Sequence, residues 1–341
     1  MTKINLENIV LEGCDVTIGY HQKKQDTIIH SHLNFQLYQG ELTCLLGANG
    51  SGKSTLLRTL SSLQDALHGE IKLMNKSLAD YTERERSRTI GVVLTERTQT
   101  GGLTVWELVA LGRQPYTGFF GRLTNTDKDL INQAIESVGI TRLATAYMAE
   151  LSDGERQKAF IAKALVQECP LILLDEPTAF LDVVSRIEIM TLLRKLAKEE
   201  HKAILLSTHD VDQALLLADR LWLLRADEGI TCGVTEDLVL NKELETLFPE
   251  SNICFDTQHG TYMPRPNYTQ QIILEATDER LRHWTENALH RLGYICLNPE
   301  TSESLSIPRL TVTSPQQIIF QTTTEKRIFT SYESLIKQLG N

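Results

Sequence analysis

The sequence predicts an α/β fold in which helices cover a mainly parallel sheet, followed by a small α+β appendage. Two observations predict the larger part. The glycine-rich stretch GANGSGKST (47–55) stands between a strand-like segment and a helical one, and LILL (171–174) is apolar without alternation. A strand that is buried on both faces of a parallel sheet has this continuous apolar pattern. A change in the pattern of predicted strands and helices after about residue 266 predicts the appendage.

Length, composition and charge limit the classes of protein that fit. The 341 residues suffice for one large domain with an appendage, or for two domains. An apolar fraction of 41% and a charged fraction of 23% are typical of a folded globular chain and argue against disorder. The net charge of −10 argues against a broad nucleic-acid-binding surface, although a local basic patch is compatible with it. We therefore expect proteins and small molecules as partners, and no nucleic acid.

Neither a targeting segment nor a membrane span is expected. The start MTKINLENIV lacks the long apolar run of a secretory signal, and LILL (171–174) and ALLLA (214–218) are far shorter than the about 20 residues of a spanning helix. Any membrane association would thus need a partner. The cysteines are scattered without a C-x-x-C pair, which favours reduced thiols over a disulfide framework or a zinc site. They are Cys14, Cys44, Cys169, Cys232, Cys254 and Cys296.

The stretch 47–55 has the spacing G-x-x-x-x-G-K-S of a phosphate-binding loop. Its glycines allow the backbone to curl so that N–H groups point inward, and the following helix adds positive potential at its N-terminus. Lys53 is long enough to reach the β- and γ-phosphates of a nucleotide, and the Ser54 hydroxyl is a possible Mg²⁺ ligand. A glycine turn without a ligand is the alternative, but the strand and helix on either side favour a nucleotide site.

Carboxylates follow the second predicted buried strand. In LILLDEPTAFLD (171–182), Asp175 and Glu176 stand at the carboxyl end of LILL, which is the edge where ligands bind in open α/β sheets. Asp175 can hold Mg²⁺ through water, and Glu176 can polarise an attacking water. A solvated acidic loop would be the ordinary interpretation of this pair alone. The neighbouring phosphate loop favours the catalytic interpretation.

Two weaker signals depend on their position. LLSTHD (205–210) is a further apolar strand, and His209 at its end would lie beside Asp175 and could reach the γ-phosphate. In LSDGERQKAFIAKAL (151–165), Ser152 and Gly154 open a helix, whose N-terminus can bind an anion. Each residue alone has an ordinary alternative, a surface histidine and a helix cap.

A domain boundary is predicted in PESNICFDTQHGTYMPRPN (249–267), which combines turn residues with short strand-like pieces. We expect one domain over residues 1–266 and an α+β extension over 267–341. The extension, of about 75 residues, is within the size at which a domain can fold alone. Nothing in its sequence indicates a catalytic site, so regulation, dimerisation and stabilisation remain open as its role.

In their order along the chain, the motifs resemble those of the ATPase subunit of an ATP-binding-cassette (ABC) transporter, over residues from about 9 to 266. GANGSGKST resembles the Walker A motif, LSDGE the signature motif, LILLDEP Walker B, TAFLD the D-loop, and Thr208-His209 the switch region. The resemblance implies a mixed sheet with a helical subdomain at about 95–150. It implies ATP and Mg²⁺ as cofactors, with Glu176, His209 and Lys53 as catalytic residues and Ser54, Asp175 and Thr95 near the metal. The implied nucleotide-binding residues are Tyr20, Gly47, Asn49, Gly50, Ser51, Gly52, Lys53, Ser54, Thr55, Ser152, Gly154 and Asp182. The ring of Tyr20 would stack on adenine.

The resemblance also implies partners. Two cassettes would meet head to tail as a homodimer, with each ATP between Lys53 of one chain and Ser152 and Gly154 of the other. The dimer would lie beneath an integral membrane permease, peripherally at the cytoplasmic face of the inner membrane, and a periplasmic or surface substrate-binding protein would deliver the substrate. LTVWELVALGRQPY (103–116) resembles importers of iron–siderophore, haem and cobalamin chelates. An exporter and a non-transport ABC ATPase remain the alternatives, and the partner protein would discriminate between them.

Three positions depart from the family pattern. Alignment on LTVWELVALGR places Thr95 where the family has a glutamine that touches Mg²⁺ and the attacking water. We expect Thr95 to keep the structural role with a weaker metal contact, unless Glu96 or Gln99 takes part. Asp153 and Glu155 replace a glycine and a glutamine of the signature, and their added negative charge is expected to tune ATP affinity.

Overall fold

The structure, a computed structural model, describes residues 8–21, 26–94, 102–118, 121–226, 228–248, 252–265, 268–299 and 307–340. Its strands and α-helices follow one another along the chain. They are β1 (Ile9–Tyr20), β2 (Thr27–Tyr38), β3 (Leu42–Leu46), α1 (Lys53–Leu60), β4 (His68–Leu73), β5 (Lys76–Ser77), α2 (Glu83–Thr89), β6 (Ile90–Val93), α3 (Val105–Ala110), α4 (Asn125–Ser137), α5 (Asp153–Leu165), β7 (Leu171–Leu174), α6 (Val183–Glu199), β8 (Ala203–Ser207), α7 (Val211–Leu217), β9 (Arg220–Arg225), β10 (Gly229–Val234), α8 (Thr235–Leu240), β11 (Ile253–Asp256), β12 (Thr261–Pro264), β13 (Gln270–Ala276), α9 (Glu279–Arg291), β14 (Tyr294–Leu297), β15 (Arg309–Ser314), β16 (Gln317–Gln321), β17 (Lys326–Phe329) and α10 (Tyr332–Leu339).

A six-stranded sheet with the order β10-β9-β3-β8-β7-β6 forms the centre of the larger part. The strands from β9 to β6 are parallel, and β10 pairs antiparallel at the edge. Their carboxyl ends therefore lie along one edge of the sheet. The strands that precede the predicted phosphate loop, the carboxylate pair and His209 are three consecutive neighbours, β3, β7 and β8, with β8 in the middle.

A second, antiparallel sheet has the order β2-β1-β4-β5. One hydrophobic core lies between the two sheets and a second lies between the parallel sheet and its helices. Along β7, Leu171 and Leu173 belong to the first core, whereas Ile172 and Leu174 belong to the second. This two-sided burial explains why LILL shows no alternation, and the predicted α/β class with a parallel sheet is confirmed.

Helices α3 and α4 lie within the region of about 95–150 that was expected to be helical, and α5 follows it at the signature segment. Hydroxyl residues cap all three helices: Thr104, Thr124 and Ser152 each accept from the backbone N–H three residues later. Arg113, only 5% exposed, lies in this region. Its guanidinium donates to Asp127 Oδ1 at 2.8 Å and to Glu168 Oε2 at 2.7 Å. A buried ion pair of this kind is costly to break on one side.

The chain divides into two compact units. The first comprises residues 1–251 and 255–262, and the second comprises 252–254 and 263–341. The second contains a five-stranded sheet with the order β14-β13-β15-β16-β17, in which β13 is parallel to both of its neighbours. Helices α9 and α10 contribute Leu281, Leu289 and Leu335 to a separate core. The mixed α+β character predicted for the extension is thus present in the described residues.

The three tryptophans of the chain lie in different surroundings. Trp222 on β9 is fully buried, with its ring 4.9 Å from that of Phe35. Trp106 on α3 donates its Nε1 hydrogen to Asn132 Oδ1 at 3.1 Å. Trp284 on α9, in the second compact unit, is 62% exposed. Across the described parts of the chain, none of the helices is both long enough and apolar enough to cross a bilayer.

Candidate functional site

The predicted phosphate loop joins β3 to α1. Strand β3 is buried along its whole length, which fixes the start of the loop at the sheet edge. Helix α1 begins at Lys53, has no side-chain cap at Gly52 and has no acidic residue in its first turn. Its first N–H groups and the positive end of its dipole are therefore available to an anion.

The loop has little room for side chains. Gly50 and Gly52 have φ of 77° and 93°, in the left-handed region that favours glycine. A Cβ on Gly52 would lie 2.8 Å from Ile29 Cγ2, and one on Gly47 would lie 2.5 Å from the carbonyl oxygen of Leu224. The loop can therefore keep this path only with glycine at positions 47 and 52. Asn49 and Gly50 are exposed at its tip.

Lys53 is 6% exposed and lies over the loop. Its ammonium group donates to the carbonyl oxygens of Gly47 at 2.8 Å and Ala48 at 3.1 Å. Burial lowers the pKa of Lys53, while the nearby carboxylates of Glu176 and Asp175 oppose that shift. A buried cation at the centre of a glycine loop favours a polyanion as the ligand.

Two side chains from the antiparallel sheet contact the loop and the first turn of α1. His30 on β2 is buried, and its Nε2 lies 2.7 Å from the carbonyl oxygen of Ser51. Tyr20, at the end of β1, shares a 2.9 Å hydrogen bond between its hydroxyl and Thr55 Oγ1. The side chain of Tyr20 is 43% exposed, so its ring stands beside the start of α1 with one part open to solvent. This placement is compatible with the predicted stacking on a base, which stays a prediction.

Asp175 and Glu176 follow β7 at the same edge of the sheet. Asp175 Oδ1 accepts from the Ser54 hydroxyl at 3.3 Å and from the Ser207 hydroxyl at 2.7 Å. The backbone N–H of Glu176 donates to Ser207 Oγ at 2.9 Å. Glu176 itself has φ of 47°, which is uncommon for a residue other than glycine. The carboxylate pair is thus tied both to the phosphate loop and to β8.

His209 follows β8 and meets Glu176. Its Nε2 lies 2.6 Å from Glu176 Oε1, and both side chains are partly exposed. The backbone N–H of Thr208 donates to Leu45 O at 3.2 Å, which fixes the histidine segment to the strand of the phosphate loop. The structure therefore brings together Lys53, Ser54, Asp175, Glu176 and His209, which the sequence had placed in three separate segments.

The signature segment forms the N-terminus of α5. The backbone N–H of Glu155 donates to Ser152 Oγ at 3.3 Å, and Glu155 Oε2 accepts from the Ser152 hydroxyl at 2.8 Å and from its backbone N–H at 3.1 Å. These bonds to Ser152 lower the pKa of Glu155. Asp153 pairs with Arg156 at 2.8 Å. Both departures from the family pattern therefore have local partners here.

Gly154 on α5 lies against the start of α6, which Asp182 caps. A Cβ on Gly154 would lie 3.0 Å from Ser185 Oγ. Asp182 caps α6 by accepting from the backbone N–H of Ser185 at 2.8 Å, and this bond is the main reason that its pKa is lowered. In the described residues, the hydrogen bonds of Ser152 remain within its own helix end. The roles of Ser152, Gly154 and Asp182 toward a nucleotide stay predictions.

Thr95, Glu96 and Gln99 lie outside the described residues, so the predicted metal contact of Thr95 stays a prediction. The remaining predicted metal residues offer one hydroxyl and one carboxylate, from Ser54 and Asp175. Among the described residues there is no group of three or more His, Cys, Asp or Glu that could hold a metal ion. Oxygen donors in this small number fit Mg²⁺, which is commonly held by one or two protein ligands, substrate phosphates and water.

The sequence reasoning missed Ser207 and His30. Ser207 stands two residues before His209 in LLSTHD, so its place at the end of a predicted strand beside the carboxylate strand was the available signal. His30 had no comparable signal, because it lies on a strand 21 positions before Ser51 and no local pattern indicates its contact with the Ser51 carbonyl.

Two family models match the chain. Residues 30–179 match the model described as ABC transporter, and residues 269–340 match that described as Iron ABC transporter C-terminal domain. The second match falls within the second compact unit, beyond the limit of the resemblance seen in the sequence.

Three relatives are similar over most of their length. An uncharacterised ABC transporter ATP-binding protein of Methanocaldococcus jannaschii is 36% identical, over 76% of this chain and 88% of the relative. The ferric enterobactin transport ATP-binding protein of Escherichia coli K12 is 36% identical, over 70% and 86%. The iron(3+)-hydroxamate import ATP-binding protein of Bacillus subtilis 168 is 34% identical, over 68% and 84%.

Two solved structures are similar in fold and sequence. One, in an inward-facing conformation and described as of metal-chelate ABC transporter type, has a TM-score of 0.62 and 27% identity over 75% of this chain and 96% of that chain. The other is the dimeric structure of MJ0796, a bacterial ABC transporter cassette, with a TM-score of 0.58 and 27% identity over 66% and 98%.

Proposed function

Because this chain belongs to the ATP-binding subunits of ABC transporters, an ATPase family, we propose that it powers the import of an iron chelate through a partner permease. The observation that carries the substrate class is the match of residues 269–340 to the Iron ABC transporter C-terminal domain. The ferric enterobactin and iron(3+)-hydroxamate relatives support the same class. Ferric siderophores are therefore favoured over the haem and cobalamin that the sequence also suggested.

The proposed chemistry is the hydrolysis of ATP at the carboxyl edge of the parallel sheet. The backbone N–H groups of the loop and the ammonium of Lys53 bind the phosphates, and Tyr20 supports the adenine. Glu176 accepts a proton from the attacking water, and His209 holds the Glu176 carboxylate through the 2.6 Å contact. Positioning and charge stabilisation account for most of the catalysis in phosphoryl transfer.

Ser54 and Asp175 would hold Mg²⁺ at this site. When bound, the ion supplies positive charge that neutralises the phosphate oxygens. The 3.3 Å distance between Ser54 Oγ and Asp175 Oδ1 supports this assignment, since the two oxygens are close enough to lie beside one ion. We propose no direct role for Thr95 beyond the weaker contact expected from its sequence position.

We propose that a second copy of the chain completes each site, with its Ser152 and Gly154 facing the nucleotide. The existence of a dimeric cassette with a TM-score of 0.58 to this chain supports the proposal. As a subunit of a membrane transporter, the dimer would associate peripherally with the permease at the cytoplasmic face, where ATP is available. A substrate-binding protein would deliver the chelate from the other side.

The test is uptake of radiolabelled iron by cells that lack this chain. We expect uptake of a ferric siderophore to be lost and to return with the wild-type chain but not with Glu176→Gln. Glu176→Gln, purified from membranes with ATP, should carry an integral permease identified by mass spectrometry. Normal iron uptake together with altered efflux of a solute would support the exporter instead. Ribosomal or DNA-maintenance partners without a permease would contradict any transport function.

A further inference from the structure

The Ser207 hydroxyl lies between the two carboxylate residues of the site. Ser207 is the last residue of β8 and is fully buried. Its oxygen accepts the backbone N–H of Glu176 at 2.9 Å, and its hydroxyl hydrogen is directed to Asp175 Oδ1 at 2.7 Å. A serine hydroxyl carries one donor and two acceptor positions, so both bonds can exist at the same time. One side chain therefore links the backbone N–H of Glu176 to the carboxylate of the preceding residue, Asp175.

Glu176 needs such a link because of its backbone conformation. Its φ of 47° is in the left-handed region, where a residue with a Cβ is held only if its surroundings determine it. The bond to Ser207 fixes the peptide plane that precedes the Glu176 side chain. It thereby sets the direction in which the carboxylate leaves the end of β7.

The same hydroxyl also sets the position of Asp175. Asp175 Oδ1 accepts from Ser207 at 2.7 Å and from Ser54 at the longer distance of 3.3 Å. A hydrogen bond to an ionised carboxylate is short and stronger than one between neutral groups. Since Ser207 lies on β8, the strand between β7 and β3, it can hold both carboxylates in register with the phosphate loop.

We propose that Ser207 is a positioning residue for ATP hydrolysis, which orients Asp175 and Glu176 without itself touching the nucleotide. This inference rests on the proposed ATPase function of the site. It predicts that removal of the hydroxyl slows the hydrolytic step and leaves ATP binding by the phosphate loop intact.

Three substitutions at Ser207 separate the effect of the hydroxyl from that of side-chain volume. Ser207→Ala removes the hydroxyl, whereas Ser207→Thr and Ser207→Val give side chains of nearly the same shape, with and without a hydroxyl. Thr43 on the adjoining strand β3 is the matched control, because it is fully buried and, within the described residues, its Oγ1 has no hydrogen-bond partner. Thr43→Val therefore removes a buried hydroxyl that the site does not use.

We expect kcat to fall about tenfold or more in Ser207→Ala and Ser207→Val, with KM and the affinity for a fluorescent ATP analogue within about twofold of wild type. Ser207→Thr should restore most of the rate, and Thr43→Val should match wild type. Amide hydrogen exchange of a peptide over residues 173–179 should be faster in the Ala and Val variants than in the Thr variant.

Two outcomes would overturn the role of Ser207, and a third would overturn the proposed function. Equal loss in Ser207→Thr and Ser207→Val would show that shape matters and the hydroxyl does not, which overturns the inference. Wild-type rates in Ser207→Ala would overturn it as well. If the wild-type chain did not hydrolyse ATP, the proposed function would fail. The exchange of the 173–179 peptide would then still show whether the hydroxyl holds this segment.

Discussion

Oε1 of Glu176 and Nε2 of His209 lie 2.6 Å apart, although 33 positions separate the two residues in the chain. The contact exists because β7 and β8 are parallel neighbours whose carboxyl ends reach the same edge of the sheet. A carboxylate held by an imidazole keeps its orientation toward the phosphate loop.

Glu176→Gln should reduce ATP hydrolysis by at least about 100-fold, because an amide does not accept the proton of the attacking water. Phosphate release measures the rate, and a fluorescent ATP analogue should still bind. The matched control is Glu136→Gln, which alters an exposed carboxylate on α4 and should leave the rate unchanged. Retention of most of the activity in Glu176→Gln would place the general base on another residue.

Gly47→Ala should weaken ATP binding by about tenfold or more. The added Cβ would lie 2.5 Å from Leu224 O and 2.6 Å from Ser51 Oγ, so the loop would have to move away from β9. Titration with a fluorescent ATP analogue measures the affinity. Gly118→Ala is the control, because a Cβ there meets nothing within 4 Å. Equal affinities for the two variants would show that the loop adapts without loss.

Arg113→Met should lower the free energy of unfolding by roughly 3–5 kcal/mol, because it leaves the buried Asp127 carboxylate without its ion-pair partner. Urea denaturation measures the change. Arg142→Met, which removes a guanidinium from a side chain that is 84% exposed, should cost less than about 0.5 kcal/mol. Similar losses in the two variants would mean that the burial of Arg113 contributes little.

The stabilising contribution of Asp127 should depend on pH. Hydrogen bonds from the Thr124 hydroxyl and backbone, together with Arg113, lower the pKa of Asp127 below its ordinary value of 3.8. A carboxyl group with a lowered folded pKa contributes stability that is fully present above pH 3.8 and is lost as pH falls through the folded value. Asp127→Asn should therefore be less stable than wild type at pH 7, and the difference should shrink below pH 3.8. Urea midpoints that stay equally far apart down to acidic pH would contradict this.

The sequence was most informative where a local pattern has one physical solution. The glycine spacing before Lys53 requires a curled loop, and the unbroken apolar run 171–174 requires burial on both faces, so the loop and the strand β7 were predictable. Helix ends belong to the same class, because the S-x-x-E spacing of Ser152 and Glu155 is the local signature of the capping box that the structure shows.

Contacts between strands could not be predicted in the same way. The bonds of Ser207 to Glu176 and Asp175 depend on the order of β7 and β8 in the sheet and on their register, which a single sequence does not encode locally. The contact of His30 with Ser51 O depends on how the antiparallel sheet meets the loop. Such long-range contacts are set by packing between elements, so they emerge only once the elements are assembled.

The three tryptophans give this chain a fluorescence signal that differs between its parts. Trp222, which is fully buried, should emit at shorter wavelength than the 62% exposed Trp284. Unfolding of the unit that contains Trp222 should therefore shift the emission to the red, whereas loss of the second unit should change it far less. Emission spectra recorded along a denaturation series would therefore follow mainly the unit that contains Trp222, and the difference between wild type and Trp284→Phe would isolate the smaller signal of the second unit.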